Sequence, residues 1–162
     1  MNRYRRSVQR ARELLAADPA VLVHAGWIGG TPGVAWWRVK AQSGGQIVEQ
    51  TTHLFDTVRY LVGEPTTVYA AATRETMSDL PNYDVEDAST VAVRFASGAV
   101  GNLMSCCVNR SGGGGVHLTV VAANHVAAFT GWGLDAVITK SKLEQERIVG
   151  ESDVFEIEDA AF

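Results

Sequence analysis

Two carboxylates and an imidazole lie close together in the middle of the chain, at Glu49, His53 and Asp56. On an α-helix, which turns about 100° per residue, these three side chains project within about 60° of one another. An imidazole that titrates near neutral pH can take up and return a proton, and a carboxylate one turn away can fix its tautomer and raise its basicity. The spacing therefore predicts a general acid/base pair, His53 and Glu49, with Asp56 beside it.

The same pattern is compatible with two other interpretations. Polar side chains on the outer side of an amphipathic helix are common, so His53 could simply be a surface residue. Glu49 and His53, four residues apart, could also supply two ligands to a metal ion, but no third ligand follows nearby in the sequence. We therefore expect no metal site.

The stretch Trp36-Trp37-Arg38 is the second group with chemical potential. In an extended segment, neighbouring tryptophans point to opposite sides, so at least one of them is expected to line a surface or cleft. A guanidinium beside an indole can hold a sugar, a phosphate or a planar ring. The alternative is ordinary packing, with one indole in the core and Arg38 in solvent.

Two helices are predicted to position these groups. Apolar residues at steps of three and four predict the first helix over residues 4–15, ended by Asp18-Pro19. The second covers residues 46–62, with Ser43-Gly44-Gly45 at its start and Gly63-Glu64-Pro65 at its end. Its apolar stripe faces away from Glu49 and His53. The arginines of the first helix are expected on solvated faces, at positions 5, 6, 10 and 12.

Short runs rich in valine, alanine, threonine and aromatic residues predict the strands. They cover residues 21–28, 67–73, 88–95, 99–108, 116–123 and 126–130, and two later runs cover 147–149 and 154–157. Ala96-Ser97-Gly98 is a hairpin connection. Because most of these runs have no crossover helix between them, the sheet is predicted to be open and predominantly antiparallel, with the helices packed on one face. The fold class is α+β.

Composition limits the function classes. The 162 residues carry a net charge of −4 with 46 % hydrophobic residues, which is typical of a soluble globular domain. No basic stripe favours nucleic acid, and no apolar run is long enough to span a membrane or to act as a signal peptide. Cys106 and Cys107 are adjacent and point to opposite faces of a strand, which argues against a disulfide framework. We expect a reduced, cytoplasmic protein.

A nucleotide-binding fingerprint is missing from the sequence. No Gly-x-Gly-x-x-Gly segment follows a predicted strand and opens a helix. The glycine-rich segment 111–115 lies between two predicted strands, where no helix N-terminus is available to bind a phosphate. We therefore interpret this segment as a flexible connection.

Several motifs together resemble one known family. They are Trp37-Arg38, the segment from Ser43 to Glu49, His53-Leu54-Phe55-Asp56, Leu61-Val62-Gly63-Glu64, and the hairpin from Val93 to Gly101. This pattern is similar to the C-terminal substrate domain of the glucose–fructose oxidoreductase/inositol dehydrogenase/rhizopine catabolism (Gfo/Idh/MocA) family. The resemblance covers nearly the whole chain.

The resemblance implies an NAD(P)-dependent oxidoreductase that acts on a sugar, a cyclitol or a related polyol. His53 would be the general acid/base, and Glu49 would orient it. Asp56 and Arg38 would bind the substrate, while Trp37 and Arg38 would border the cofactor. NAD or NADP is expected in the complete enzyme and neither is expected to bind this chain alone.

The resemblance also carries expectations about organisation. Residues 1–162 would form a single C-terminal substrate-binding domain, with the N-terminal Rossmann domain absent and the C-terminal end truncated. Relatives suggest a homo-oligomer that associates through the open face of the sheet. Two alternatives to a catalytic domain are a non-catalytic dimerisation module and a stand-alone polyol-binding module.

Overall fold

A computed structural model describes residues 1–161 of the chain. It contains four α-helices: α1 (Arg6–Ala17), α2 (Lys40–Ser43), α3 (Thr52–Val62) and α4 (Val154–Asp159). Two short 3₁₀ helices (Asn2–Tyr4 and Ala35–Arg38) and one π-helical turn (Ile47–Thr51) complete the helical elements. No helix within these 161 residues combines the length and the apolar character that crossing a membrane requires.

Eight strands form one sheet. They are β1 (Leu22–Ile28), β2 (Pro65–Thr73), β3 (Ala88–Phe95), β4 (Val100–Cys106), β5 (Gly115–Val121), β6 (Val126–Thr130), β7 (Asp135–Ser141) and β8 (Glu144–Ile148). Their order across the sheet is β2-β3-β4-β1-β5-β6-β7-β8. All neighbours pair antiparallel except β1 and β4, which are parallel. The predicted α+β class with a mostly antiparallel open sheet is confirmed.

The core lies between one face of this sheet and the helices α1 and α3. Val23 and Ala25 of β1 are fully buried on this face, whereas Leu22 and His24, which alternate with them, are exposed on the other. From the helices, Val8 of α1 and Leu54 of α3 pack into the same cluster. The second sheet face, which we call the open face, therefore has no covering layer among the described residues.

Two sequence expectations about secondary structure are wrong. Residues 154–157, predicted as a strand, begin helix α4, in which Val154 is buried and Phe155 is exposed. Val154 and Ile157 are three residues apart, and a run this short fits either period. Strand β7 was not predicted, although buried Ala136 and Ile138 alternate with less buried neighbours as in an ordinary half-buried strand.

Arg5 is not on a solvated helix face as expected. It precedes α1 and is only 1 % exposed. Its Nε donates a hydrogen bond to Asn2 Oδ1 at 3.1 Å, and Nη1 donates to the Glu151 carbonyl at 3.0 Å. Burial lowers the pKa of this guanidinium. Arg5 thus links the start of the chain to the segment before α4, a partner too distant in sequence for periodicity to reveal.

Asp18 connects the end of α1 to the turn between β5 and β6. It accepts hydrogen bonds from the Asn124 backbone N–H at 2.8 Å and the Asn124 side chain at 3.1 Å, and its Oδ2 lies 2.8 Å from His125 Nδ1. The Asn124 backbone hydrogen bond is the main reason that the pKa of Asp18 is lower than its usual 3.8. This carboxylate therefore stabilises the fold in its charged form.

This linkage predicts a pH dependence. Because the folded-state pKa is depressed, the stabilising contribution is present above pH 4 and is lost as the pH falls through the lower, folded value. We expect Asp18→Asn to lower the melting temperature at pH 7, with a difference from wild type that shrinks below about pH 4. Thermal unfolding across pH measures this, and a difference that stayed constant down to pH 2 would contradict it.

Candidate functional site

Two glycines set the path of the chain into the helix that carries the predicted acid/base pair. Gly44 and Gly45 have φ values of +79° and +91°, in the left-handed region that favours glycine. A Cβ at position 45 would also collide with the carboxylate of Glu86, which forms an ion pair with Lys40. The chain therefore requires glycine at these two positions, where the sequence predicted the start of the helix.

The helix itself begins with a π-helical turn. Residues Ile47–Thr51 form this wider turn, and α3 continues from Thr52. The sequence-based prediction assumed a uniform α-helix from residue 46, so the angles it assigned to Glu49 do not hold. Single π-turns inside helices occur often at functional sites.

His53 lies in a cluster of aromatic rings. Its ring centroid is 6.5 Å from that of Trp27 and 5.7 Å from that of Trp132, and its plane is perpendicular to the Trp132 indole. The two indoles are 5.4 Å apart. The imidazole is partly buried and forms no hydrogen bond with any residue in 1–161. Both ring nitrogens are therefore available to a ligand.

The sheet brings the members of this cluster together. Trp27 is near the end of β1 and pairs with Val116 at the start of β5. Trp132 follows β6 in the turn to β7, and the neighbouring Gly131 N–H donates to the Val116 carbonyl at 2.8 Å. These positions share one edge of the sheet, and the first turn of α3 lies above it.

Glu49 does not contact His53 in this structure. Its side chain is exposed on the π-turn, and no hydrogen bond joins the two residues. The predicted orienting hydrogen bond is thus not formed in the chain as it stands. Catalytic hydrogen bonds are often long or misaligned in unliganded proteins and tighten when the substrate binds.

Asp56 lies in a different neighbourhood. Arg3 donates to both of its carboxylate oxygens, with Nε at 2.9 Å from Oδ2 and a second, short bond from Nη2 to Oδ1. This hydrogen bonding raises the pKa of Arg3. The structure therefore pairs Asp56 with the N-terminal segment and does not bring it together with the aromatic cluster.

The tryptophan pair separates as the sequence predicted, one indole inside and one outside. Trp36 is 45 % exposed, while Trp37 is 2 % exposed and packs with Val85 and Cys107. They achieve this on a 3₁₀ helix (Ala35–Arg38), whereas the prediction assumed an extended segment. The ring of Trp37 is therefore not accessible to a cofactor in this structure.

Arg38 is a partly buried cation with no ion-pair partner in residues 1–161. Its Nε is buried and makes no hydrogen bond. The Nε1 of Trp37, the preceding residue, is also buried and makes no hydrogen bond. Buried donors of this kind are usually satisfied by a partner. Arg38 therefore keeps a donor that no acceptor in residues 1–161 uses.

Within residues 1–161, no group of three or more histidine, cysteine or acidic side chains is placed to hold a metal ion. Neither Glu49 nor His53 lines any of five cavities of 200 to 610 Å³ found in the described residues. The candidate site is an open surface at the sheet edge. A second polypeptide segment would have to form its other wall.

Cys107 does not offer a nucleophile. Both cysteines are free, and Cys107 is fully buried with its sulfur 3.3 Å from the Tyr83 hydroxyl. Burial raises the pKa of the Cys107 thiol to about 11, so the reactive thiolate is scarce at neutral pH.

Sequence reasoning missed Trp27 and Trp132 as site residues. Trp27 was treated as part of a strand, and Trp132 lies between two strands of which one was not predicted. A usable signal was present in Gly131-Trp132-Gly133, because a tryptophan between two glycines lies in a turn, where its ring has little local packing.

Solved structures with the same fold are oxidoreductases. Levoglucosan dehydrogenase in complex with NADH and levoglucosan has a TM-score of 0.74 at 18 % identity, and the match covers 88 % of this chain and 42 % of that one. An NAD-binding oxidoreductase from Klebsiella pneumoniae has a TM-score of 0.74 at 17 % identity, with 91 % and 44 % covered. For a putative oxidoreductase from Thermotoga maritima the values are 0.73 and 16 %, with 99 % and 52 % covered.

The chain spans only about half the length of these proteins. A sequence search of curated proteins finds no match. A sequence model of the GFO/IDH/MocA C-terminal domain, however, matches residues 8–125, well over half of the chain. The family expected from the sequence motifs is confirmed, and the chain belongs to the GFO/IDH/MocA family as a C-terminal domain.

Proposed function

We propose that this chain is the substrate-binding and catalytic domain of an NAD(P)-dependent oxidoreductase acting on a sugar, a cyclitol or a related polyol. The observation that carries the proposal is His53, an imidazole with no hydrogen-bond partner in residues 1–161, held at the sheet edge of a family oxidoreductase domain. A solved relative by fold binds NADH and the sugar levoglucosan. That relative supports the substrate class.

In this mechanism His53 takes the hydroxyl proton from the carbinol during oxidation and returns it during reduction. The nicotinamide cofactor, when bound, supplies the hydride chemistry. Glu49 closes onto His53 and fixes its tautomer once the substrate excludes water. Since its exposed side chain makes no other hydrogen bond in residues 1–161, Glu49 can make this movement without losing a partner.

The binding roles follow from the same residues. Arg38 would border the cofactor and the substrate, because it is a partly exposed cation with no ion-pair partner in residues 1–161. Trp37, the buried residue before it, would help to fix its position. Asp56 would meet a substrate hydroxyl only by sharing its carboxylate with Arg3. The nucleotide phosphates do not fit this chain, because the loop 111–115 joins β4 to β5 and opens no helix.

This proposal predicts different behaviour for the chain alone and the chain joined to a nucleotide-binding domain. Alone, we expect no saturable binding of NADH at micromolar concentrations, measured by nicotinamide fluorescence. Joined to such a domain, the same chain should reduce NAD or NADP in the presence of a cyclic polyol. Micromolar binding by the isolated chain would contradict the proposed division of labour, and an inactive but folded joined protein would contradict the function.

A second role is favoured by the open face of the sheet. Leu22 and Val100 are neighbours on this face and are 44 % and 42 % exposed, and Tyr69 is 73 % exposed. Eight strands spaced about 4.8 Å apart and about 20 Å long present roughly 700 Å². This approaches the area of about 800 Å² per partner that stable complexes bury. We propose that the chain forms a homo-oligomer through this face.

Light scattering on the purified chain tests the oligomer. We expect a mass at least twice 17.4 kDa, and a charge on this face, such as Ala92→Glu beside Tyr69, should shift the protein towards the monomer. A monomer at all concentrations would contradict this role. If the chain oligomerises but no joined protein is active, the dimerisation module is the better description. We place the protein in the cytoplasm, in keeping with its two free cysteines.

A further inference from the structure

Trp132 is an exposed tryptophan beside the proposed acid/base. Its indole is 48 % exposed, although tryptophan is among the most apolar of side chains. It lies 5.7 Å from the His53 ring and perpendicular to it, and 5.4 Å from Trp27. One part of the indole therefore packs against the site, and the remainder faces the space in front of it.

The turn that carries Trp132 is firmly anchored. Gly131 has a φ of +72° and Leu134 a φ of +51°, and the left-handed region is unfavourable for leucine. The Leu134 side chain is nevertheless 1 % exposed in the core, and its N–H donates to the Gly131 carbonyl at 3.2 Å. Core burial of Leu134 thus holds a strained turn in place, and this fixes the position of Trp132. Strain of this kind is found preferentially at functional sites.

Trp27 supports the exposed indole from behind. It lies on the core side of β1, where it packs against the main hydrophobic cluster. Its ring and that of Trp132 meet at 63°, an arrangement that aromatic pairs favour. The two tryptophans and His53 therefore form a preorganised cluster. A ligand that contacts this cluster does not have to order the three side chains on binding.

We infer that Trp132 is a specificity-determining residue that selects a ring-shaped polyol over an acyclic one. A cyclic sugar or cyclitol presents a flat patch of C–H groups, which packs on an indole while its hydroxyls point outward to His53 and to water. An acyclic polyol has no such fixed apolar patch. It must also lose more conformational freedom to lie flat on the indole. This inference rests on the proposed function, and it adds the shape of the substrate.

Saturation-transfer NMR on the chain joined to a nucleotide-binding domain tests the inference, because polyol binding requires the second wall of the site. The probes are levoglucosan and myo-inositol as ring polyols and sorbitol as the acyclic one. The variants are Trp132→Ala, Trp132→Phe and, as a control, Phe155→Ala, which removes another exposed aromatic ring, on α4. We expect Trp132→Ala to weaken binding of the ring polyols about fivefold to tenfold and Trp132→Phe to weaken it less. Phe155→Ala should have no effect, and sorbitol should bind weakly to all four proteins.

The outcomes separate this inference from the function on which it rests. If the wild type binds ring polyols and Trp132→Ala binds them equally well, the inference is wrong and the proposed function stands. Equal losses for ring and acyclic probes would also overturn it, because a purely structural role weakens both. If the wild type binds neither ring polyol, the inference and the polyol substrate class are both wrong. Unchanged melting temperatures would show that each variant is folded.

Discussion

Replacing His53 by alanine is expected to lower turnover about a hundredfold or more in a protein that joins this chain to a nucleotide-binding domain. The imidazole is the only histidine ring at the sheet edge beside Trp27 and Trp132 within the described residues. Without it, the hydroxyl proton must leave to water. The fold should persist, because His53 is only partly buried and its side chain forms no hydrogen bond within residues 1–161.

The measurement is steady-state NAD(P)H formation across pH. Loss of proton transfer by His53 should change the pH dependence of the rate as well as lower kcat. Thr52→Ala changes the preceding exposed residue on the same helix and serves as the control. Near-normal turnover in His53→Ala, with an unchanged pH profile, would assign the acid/base role to another residue.

The second large effect concerns the adjacent residue and a different property. Leu54 is 1 % exposed and belongs to the cluster between α3 and the sheet. Leu54→Ala removes buried methyl groups and leaves a cavity, so we expect the free energy of unfolding to fall by about 2–5 kcal/mol. This is a large fraction of the stability of a domain of this size. Denaturant unfolding monitored by circular dichroism measures the change.

A control lies six residues earlier, on the π-helical turn. Val48 is 59 % exposed, so Val48→Ala should change the free energy of unfolding by less than about 0.5 kcal/mol. A similar loss in both variants would mean that α3 does not pack on the sheet as described. Together, His53→Ala and Leu54→Ala separate function from stability at neighbouring positions, because the two side chains project about 100° apart on one helix and only Leu54 is fully buried.

The layout of the fold could be predicted because its signals are local. The apolar period of residues 46–62 was sufficient to predict one helix. The alternation in β3 and β4 was sufficient to predict a hairpin. Helix α4 was mistaken for a strand because six residues contain too few turns to show a period. The π-turn at Ile47–Thr51 also could not be recognised from the apolar pattern, because it changes the helical period only locally.

The site could be predicted only in part, for the same reason. The residues on one helix, Glu49 and His53, were identified from spacing. Their neighbours come from elsewhere in the chain. Arg3 forms a hydrogen bond with Asp56, and the pairing of β5 with β6 brings Trp132 to His53. Which of Trp36 and Trp37 would be buried depended on a 3₁₀ turn that a single sequence does not reveal.

The central position of β1 has a consequence for how the chain acquires its structure. Leu22 pairs with Val100 on one side and Val121 on the other, so the first strand of this domain must wait for about 80 further residues to be synthesised before it gains a neighbour. Contacts between such distant segments slow folding and leave apolar strands transiently unprotected. Synthesis of this domain should therefore depend on chaperone binding to the nascent β1 more than the folding of a simple meander would.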